Sequence, residues 1–199
     1  MEFKEFTKIA RLNRDITVTE KIDGTNASIL IINKSLIISE ELWINEIIVG
    51  DFIIRAGSRT RWIQPENDNH GFAKWVKTNA EELVKLGEGR HFGEWYGQGI
   101  QRNYGLTEKR FALFNTFKWS DDSVRPKCCG VVPVLYHGLF SQQVILDCLE
   151  DLRKNGSKVC PYMNPEGIVV YHEAAKTYFK ITLVNDEKPK SQVEHENRR

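Results

Sequence analysis

The side-chain period of this chain switches from two residues to roughly four and back again, and that switch limits the folds open to it. In the first third, short runs alternate apolar and polar residues and are broken by turn residues. "DITVTEKI", "NASILII", "SLIIS" and "DFIIRAGSR" read as strands, with "DGT" and "NKS" as tight connections. A helical period follows in "HGFAKWVKTNAEELVKLGEG". There Phe72, Trp75, Val76, Ala80, Leu83 and Val84 share one stripe, and Gly87 stands where a C-terminal cap belongs. A second helix is expected through "SQQVILDCLEDLRKNG". Ser141 is its N-cap, Val144, Ile145, Cys148, Leu149 and Leu152 form its buried stripe, and Gly156 is its stop. Strands resume at "RHFGEWYG", "RFALFNTFKW", "VVPVLYHG", "EGIVVYHE" and "TYFKITLV". About nine strands, two helices and short connections predict an α+β fold, with antiparallel sheets and a few packed helices, rather than a doubly wound parallel one.

At 199 residues the chain can bury one substantial core. Residues 1–184 are expected to form a single domain, followed by a polar tail at 185–199. A net charge of +1 supplies no global field for a polyanion, so any such partner must be met by a local basic patch. The opening "MEFKEFTKIARLNR" is charged throughout, without the apolar core of a signal peptide, and no apolar run approaches a membrane span. A soluble, cytoplasmic protein is expected. Cys128, Cys129, Cys148 and Cys160 lack a C-x-x-C pair and read as reduced thiols rather than a metal cluster.

Five stretches could carry chemistry, and each also has a plainer reading. In "EKIDGTNAS", Lys21 is either a surface residue at a strand end or a nucleophile. An ordinary lysine amine is neutral in only about one molecule in a thousand near pH 7.4, so a nucleophilic role demands activation. Asp23 could orient the amine or hold a hydrated metal, and Gly24 permits close backbone approach to a ligand. In "RAGSRTRW", a regular strand would align Arg55, Gly57, Arg59 and Arg61 as a basic stripe for phosphates, unless Gly57 marks a bulge or the stretch is a solvated edge. "HFGEWYGQGIQ" surrounds Glu94 with three glycines, which suits either close backbone approach or a hairpin. In "FALFNTF", strand parity sets Phe114 beside Ala112 and Thr116, leaving a slot where a flat base could stack; a core phenylalanine is the plainer account. In "PEGIVVYHEAAKTYFKIT", Glu166 opens an apolar strand where a carboxylate can hold Mg²⁺. Lys176 and Lys180 would share a face of the next strand.

Taken together and in order, these stretches resemble the covalent nucleotidyltransferase superfamily of ATP-dependent DNA and RNA ligases and mRNA capping enzymes. The likeness is greatest to its RNA ligase 2-like branch. "KIDGTN", "SRT", "FGEWYGQGIQ", "FALFN", "PEGIVV" and "FKIT" carry it across residues 20–182. The resemblance implies a nucleotidyltransferase, ATP-grasp-like ligase core. It implies ATP and Mg²⁺ (or Mn²⁺) as cofactors, and RNA ends as partners in RNA repair, at nicks in a duplex as one option. Lys21 resembles the nucleophile that takes AMP from ATP. Glu20 and Ile22 would line the adenine side, largely through backbone, and Asn26 matches the polar residue linked to sealing. Arg59 resembles the arginine on the bound nucleotide, Glu94 the glutamate near the ribose and Phe114 the ring that stacks on adenine. Glu166 resembles the metal-binding carboxylate and Lys180 the lysine on the α-phosphate. Arg59, Glu166 and Lys180 would then surround one phosphorus.

The chain departs from this pattern in three places. Thr182 stands where the family places a second lysine, and Asp23 where some relatives carry histidine. Only 17 residues follow Thr182 (199 − 182), too few for an OB fold or a C-terminal helical domain, so a stripped catalytic core is expected, aided by a helper protein or domain in trans. A minimal DNA ligase, a capping guanylyltransferase and a nucleotide- or RNA-binding module without turnover remain as alternatives.

Overall fold

The computed structural model of the protein describes residues 2–36 and 46–184. In chain order the first strands are β1 (Asp15–Lys21), β2 (Thr25–Asn33), β3 (Ile47–Val49), β4 (Phe52–Ser58) and β5 (Trp62–Ile63). Two short helices, α1 (Phe72–Thr78) and α2 (Ala80–Leu83), precede β6 (Gly89–Gly97), β7 (Lys109–Leu113) and α3 (Thr116–Trp119). The chain continues through β8 (Cys129–Val131), β9 (Val134–Leu139), α4 (Gln142–Asn155), β10 (Gly167–His172) and β11 (Thr177–Thr182). The predicted α+β class is the one observed.

These elements form two compact units: one holds the residues up to Lys21 and from Pro133 onward, the other Ile22–Val132. In the first, a four-stranded antiparallel sheet runs β11-β10-β1-β9. Period-two alternation sends Ile16, Val18, Ile168 and Val170 to one face, where Ile145, Leu149 and Leu152 of α4 cover them. Ser141 caps α4 through the Val144 N–H, and Gly156 ends it with φ 76°, as the sequence predicts.

The second unit holds a seven-stranded sheet in the order β3-β4-β2-β6-β7-β8, with β5 added beside β4. Its buried face carries Ala27, Ile29, Ile31, Ile54, Ala56, Trp95, Phe111 and Leu113 against Phe72, Val76 and Leu83. Phe72 anchors an aromatic cluster, with ring centroids 5.1 Å from Phe111 and 5.4 Å from Trp95.

Several expectations need correction. The expected first helix is broken at Asn79, whose side-chain amide donates to the Trp75 carbonyl at 2.8 Å beside its own N–H, ending α1 there. "RFALFNTFKW" is not one strand: β7 stops at Leu113 and Asn115 caps α3. "VVPVLYHG" is split at Pro133, which has no N–H for a ladder, and β8 and β9 fall in different sheets. The pair β7–β8 is parallel. The connection at "DGT" is tight, as expected, and joins strands of different sheets. Of "SLIIS", Ser35 and Leu36 end a 3-10 turn, and residues 37–39 lie outside the described residues, as does the tail from 185.

Candidate active site

In the first unit the ends of three neighbouring strands gather the chemistry. Lys21 is the last residue of β1 and lies opposite Gly167, which in turn lies opposite Thr182. Two residues back, Thr19, Val169 and Lys180 form the next row on that face. Paired residues project to the same side of a sheet, so Lys21 and Lys180 share the face that α4 does not cover. Gly167 puts no side chain between Lys21 and Thr182. The Lys21 amine donates to Glu166 Oε2 at 2.5 Å, and the Glu166 side chain is only 2% exposed. Burial beside the ammonium suits an ion pair. Among the described residues no three His, Cys, Asp or Glu side chains gather as a full metal cage. A lone buried carboxylate fits a hydrated divalent ion that completes its shell with phosphate oxygens.

Glu20 points to the opposite, buried face and is 1% exposed. It accepts from Ser157 Oγ at 2.6 Å and the Lys158 N–H at 2.7 Å. Burial raises its pKa above the usual 4.5, and these two hydrogen bonds pull the other way. Its carboxylate is therefore spent inside the fold. Its backbone N–H donates to the Pro133 carbonyl.

In the second unit, the turn after Ile22 is held by β6 and the segment beyond it. The Asp23 N–H donates to Tyr104 Oη at 2.8 Å, the Gly24 N–H to Glu94 Oε1 at 3.0 Å, and Asp23 pairs with Arg102 at 3.1 Å. Ile22 is buried, 4% exposed. The close approach predicted for Gly24 is real, yet it is to protein: a β-carbon there would press on the Trp95 carbonyl oxygen and lie 2.8 Å from Tyr96 Cβ. Asp23 likewise faces Arg102.

Asn26 lies directly across from Glu94, and Glu94 across from Ala112. Phe114 follows two pairs later, its N–H donating to the Phe92 carbonyl at 3.0 Å. Asn26, Glu94 and Phe114 thus stand on the face of the large sheet opposite its core, and Phe114 is 38% exposed while Phe111 is wholly buried. Arg59 is exposed in the turn after β4. The expected basic stripe is absent: β4 ends at Ser58, Arg55 pairs with Glu46 at 2.7 Å, and Arg61 donates to the Asn67 carbonyl. No bulge forms at Gly57, which pairs with Ser28 in unbroken register. Lys176 lies in a turn with φ 50°, outside β11 and off the face of Lys180.

Sequence reasoning missed Arg102, Tyr104, Ser157 and Lys158, the residues that fix the loop and Glu20. All four come from connections with no periodicity, 79 to 138 positions from their partners, where only proximity in space reveals them.

The sequence matches the family model for RNA ligase over residues 14–182. No curated protein matches it significantly. Similar solved structures are variants of a Naegleria gruberi RNA ligase. One, with AMP and manganese, has a TM-score of 0.58 at 19% identity, covering 90% of this chain and 53% of that one. A second, with ATP and manganese, has a TM-score of 0.58 at 18% identity, with 90% and 53% covered. A third, also with ATP and manganese, has a TM-score of 0.54 at 16% identity, with 94% and 53% covered. The chain spans about half the length of these structures, and the likeness is one of fold. On the family match, which takes in β1 through β11, the chain belongs to the RNA ligase family.

Proposed function

We propose that this chain is an ATP-dependent RNA ligase that joins 3′-hydroxyl and 5′-phosphate ends through a lysyl-AMP, on a nucleotidyltransferase core of the ATP-grasp-like kind. The observation that carries the reading is Lys21 itself: a lysine ion-paired to a buried glutamate at a strand end, on one sheet face with Lys180.

In this reading the neutral Lys21 amine attacks the α-phosphorus of ATP. A nitrogen–phosphorus bond forms, the bond to the bridging oxygen breaks, and pyrophosphate leaves with its electron pair while the amine proton is lost to solvent. A 5′-phosphate oxygen of RNA then displaces Lys21, giving a 5′-5′ pyrophosphate end. Attack by a 3′-hydroxyl closes the phosphodiester and releases AMP. Charge gathers on phosphate oxygens at each step, and Lys180 and Arg59 would offset it. Glu166 would hold the divalent ion, which when bound neutralises phosphate charge. Phe114 would stack on adenine, Glu94 would serve the ribose, and Asn26 would serve sealing. Glu20 and Ile22 would contribute backbone, since both side chains are buried. Residues 1–184 would act as one catalytic module, with RNA repair as the process it serves.

Intact-mass measurement after mixing with ATP and Mg²⁺ tests this. The expected result is one added AMP, absent in Lys21→Ala. ATP binding without any adduct would make the chain a binding module, and label from GTP alone would make it a guanylyltransferase. An undiminished adduct in Lys21→Ala would move the nucleophile elsewhere.

A further inference from the structure

A second feature of the large sheet lies outside the residues assigned above. On the face opposite its core, one row crosses four strands: Trp62 opposite Gly57, Gly57 opposite Ser28, and Ser28 opposite Phe92. Phe114 continues the row through its hydrogen bond to Phe92. Arg90 stands one step up β6, and its guanidinium carbon lies 4.8 Å from the Trp62 ring centroid and 4.8 Å from that of Phe92. The cation therefore lies over both rings.

The stack is built from below. Ser28 Oγ, fully buried, accepts from both Nε and Nη2 of Arg90 at 3.2 Å. Gly57 leaves the room: a β-carbon there would meet Ser28 Oγ at 2.7 Å and the Trp62 ring at 3.1 Å. Core packing does not account for the rings above, since Trp62 remains 42% exposed and Phe92 45%. The neighbouring Arg55 is already matched by Glu46. Arg59 and Arg61, exposed in the turn that leads to Trp62, keep the near edge of the row cationic.

We propose that the Trp62–Arg90–Phe92 stack is a binding subsite for a single-stranded segment of the RNA substrate, with bases on the two rings and a phosphate on Arg90. The subsite rests on the reading of the chain as an RNA-joining enzyme and deepens it. Exposed π-faces beside a fixed guanidinium are the groups that hold a flexible polynucleotide. Charge selects this occupant over a protein surface: the stack carries a cation with no carboxylate within its row. The row also runs without interruption into Phe114, the residue proposed to meet adenine.

Fluorescence anisotropy with a labelled single-stranded oligoribonucleotide, in the absence of ATP, tests the subsite on the full chain. Trp62→Leu and Phe92→Leu keep bulk but lose the π-face, and each is expected to weaken binding by about 5- to 150-fold, the range one base–aromatic stack supplies. Trp62→Phe should restore most of the loss, which a merely space-filling role would not predict. Arg90→Gln should flatten the slope of log affinity against log salt by about 0.7. Unchanged RNA affinity in both leucine variants overturns the proposal. So does a wild-type protein that binds no RNA, or one whose Trp62→Leu variant loses self-association alone. The ATP adduct is scored separately on the wild-type chain. An adduct with unmoved RNA binding sinks only the subsite, and RNA loss without any adduct sinks only the ligase chemistry.

Discussion

Glu20 shows how one residue can sit in a chemical motif and serve the fold. Adjacent to Lys21 in sequence, it turns to the other side of the sheet and ends among Ser157 and Lys158. Because burial raises its pKa above 4.5, the folded state holds its proton more tightly than the unfolded chain does. Between about pH 4.5 and the raised value, then, the folded state binds more protons, and Glu20's share of stability falls as pH rises. Glu20→Gln can still accept from Lys158 and meet Ser157. It is expected to remove that downward slope, read from urea midpoints across pH 4 to 8. Glu20→Ala takes the acceptor from the Ser157 hydroxyl and the Lys158 N–H and should cost about 1–3 kcal/mol, more below the raised pKa than above it. A slope that survives in Glu20→Gln would place its origin in another group.

At the scale of elements, the end of β7 decides where Phe114 stands. A run of apolar residues through Phe117 and Trp119 reads from sequence as a continuing strand, because period alone does not mark a stop. The structure stops it with Asn115, whose side-chain oxygen accepts from the Lys118 N–H at 3.0 Å and starts α3. Trp119 turns into the core, 3% exposed, while Phe117 is left in solvent. Asn115→Ala is expected to lower stability by about 1 kcal/mol, measured by urea unfolding with an unchanged m-value, and Asn115→Asp to retain most of it. An unaltered midpoint in the alanine variant would mean that packing of Trp119, not the cap, sets the strand end. The cap was legible in principle, since Asn before a short polar-apolar run is a helix-start signal. It was outweighed by the aromatic run around it. The long strands β1, β2, β4, β6, β10 and β11 and the stripe of α4 were legible because each repeats its period several times. The short pieces β3, β5 and β8 do not, and partners elsewhere in the chain define them.

At the scale of the molecule, the chain leaves its first unit after Lys21 and returns at Pro133. Motif order along the sequence therefore says nothing about which sheet holds each residue. Lys21, Glu166 and Lys180 belong to one unit, and Asn26, Arg59, Glu94 and Phe114 to the other. The pairing of Lys21 with Glu166, 145 positions apart, could be guessed only through the resemblance, and that resemblance assigned Glu166 to a metal rather than to the lysine.

That ion pair has a consequence for the protein's behaviour toward amine-modifying reagents. Acylating agents consume lysines in order of access and free electron density, and most of the lysines here lie open to solvent. Lys21, 22% exposed and engaged with a carboxylate, should be modified among the last, well after Lys180. Glu166→Gln should bring it forward, a change readable by peptide mass mapping, and equal labelling of Lys21 and Lys180 would contradict the pairing. A resting molecule of this kind keeps the Lys21 amine shielded from stray electrophiles in the surrounding medium.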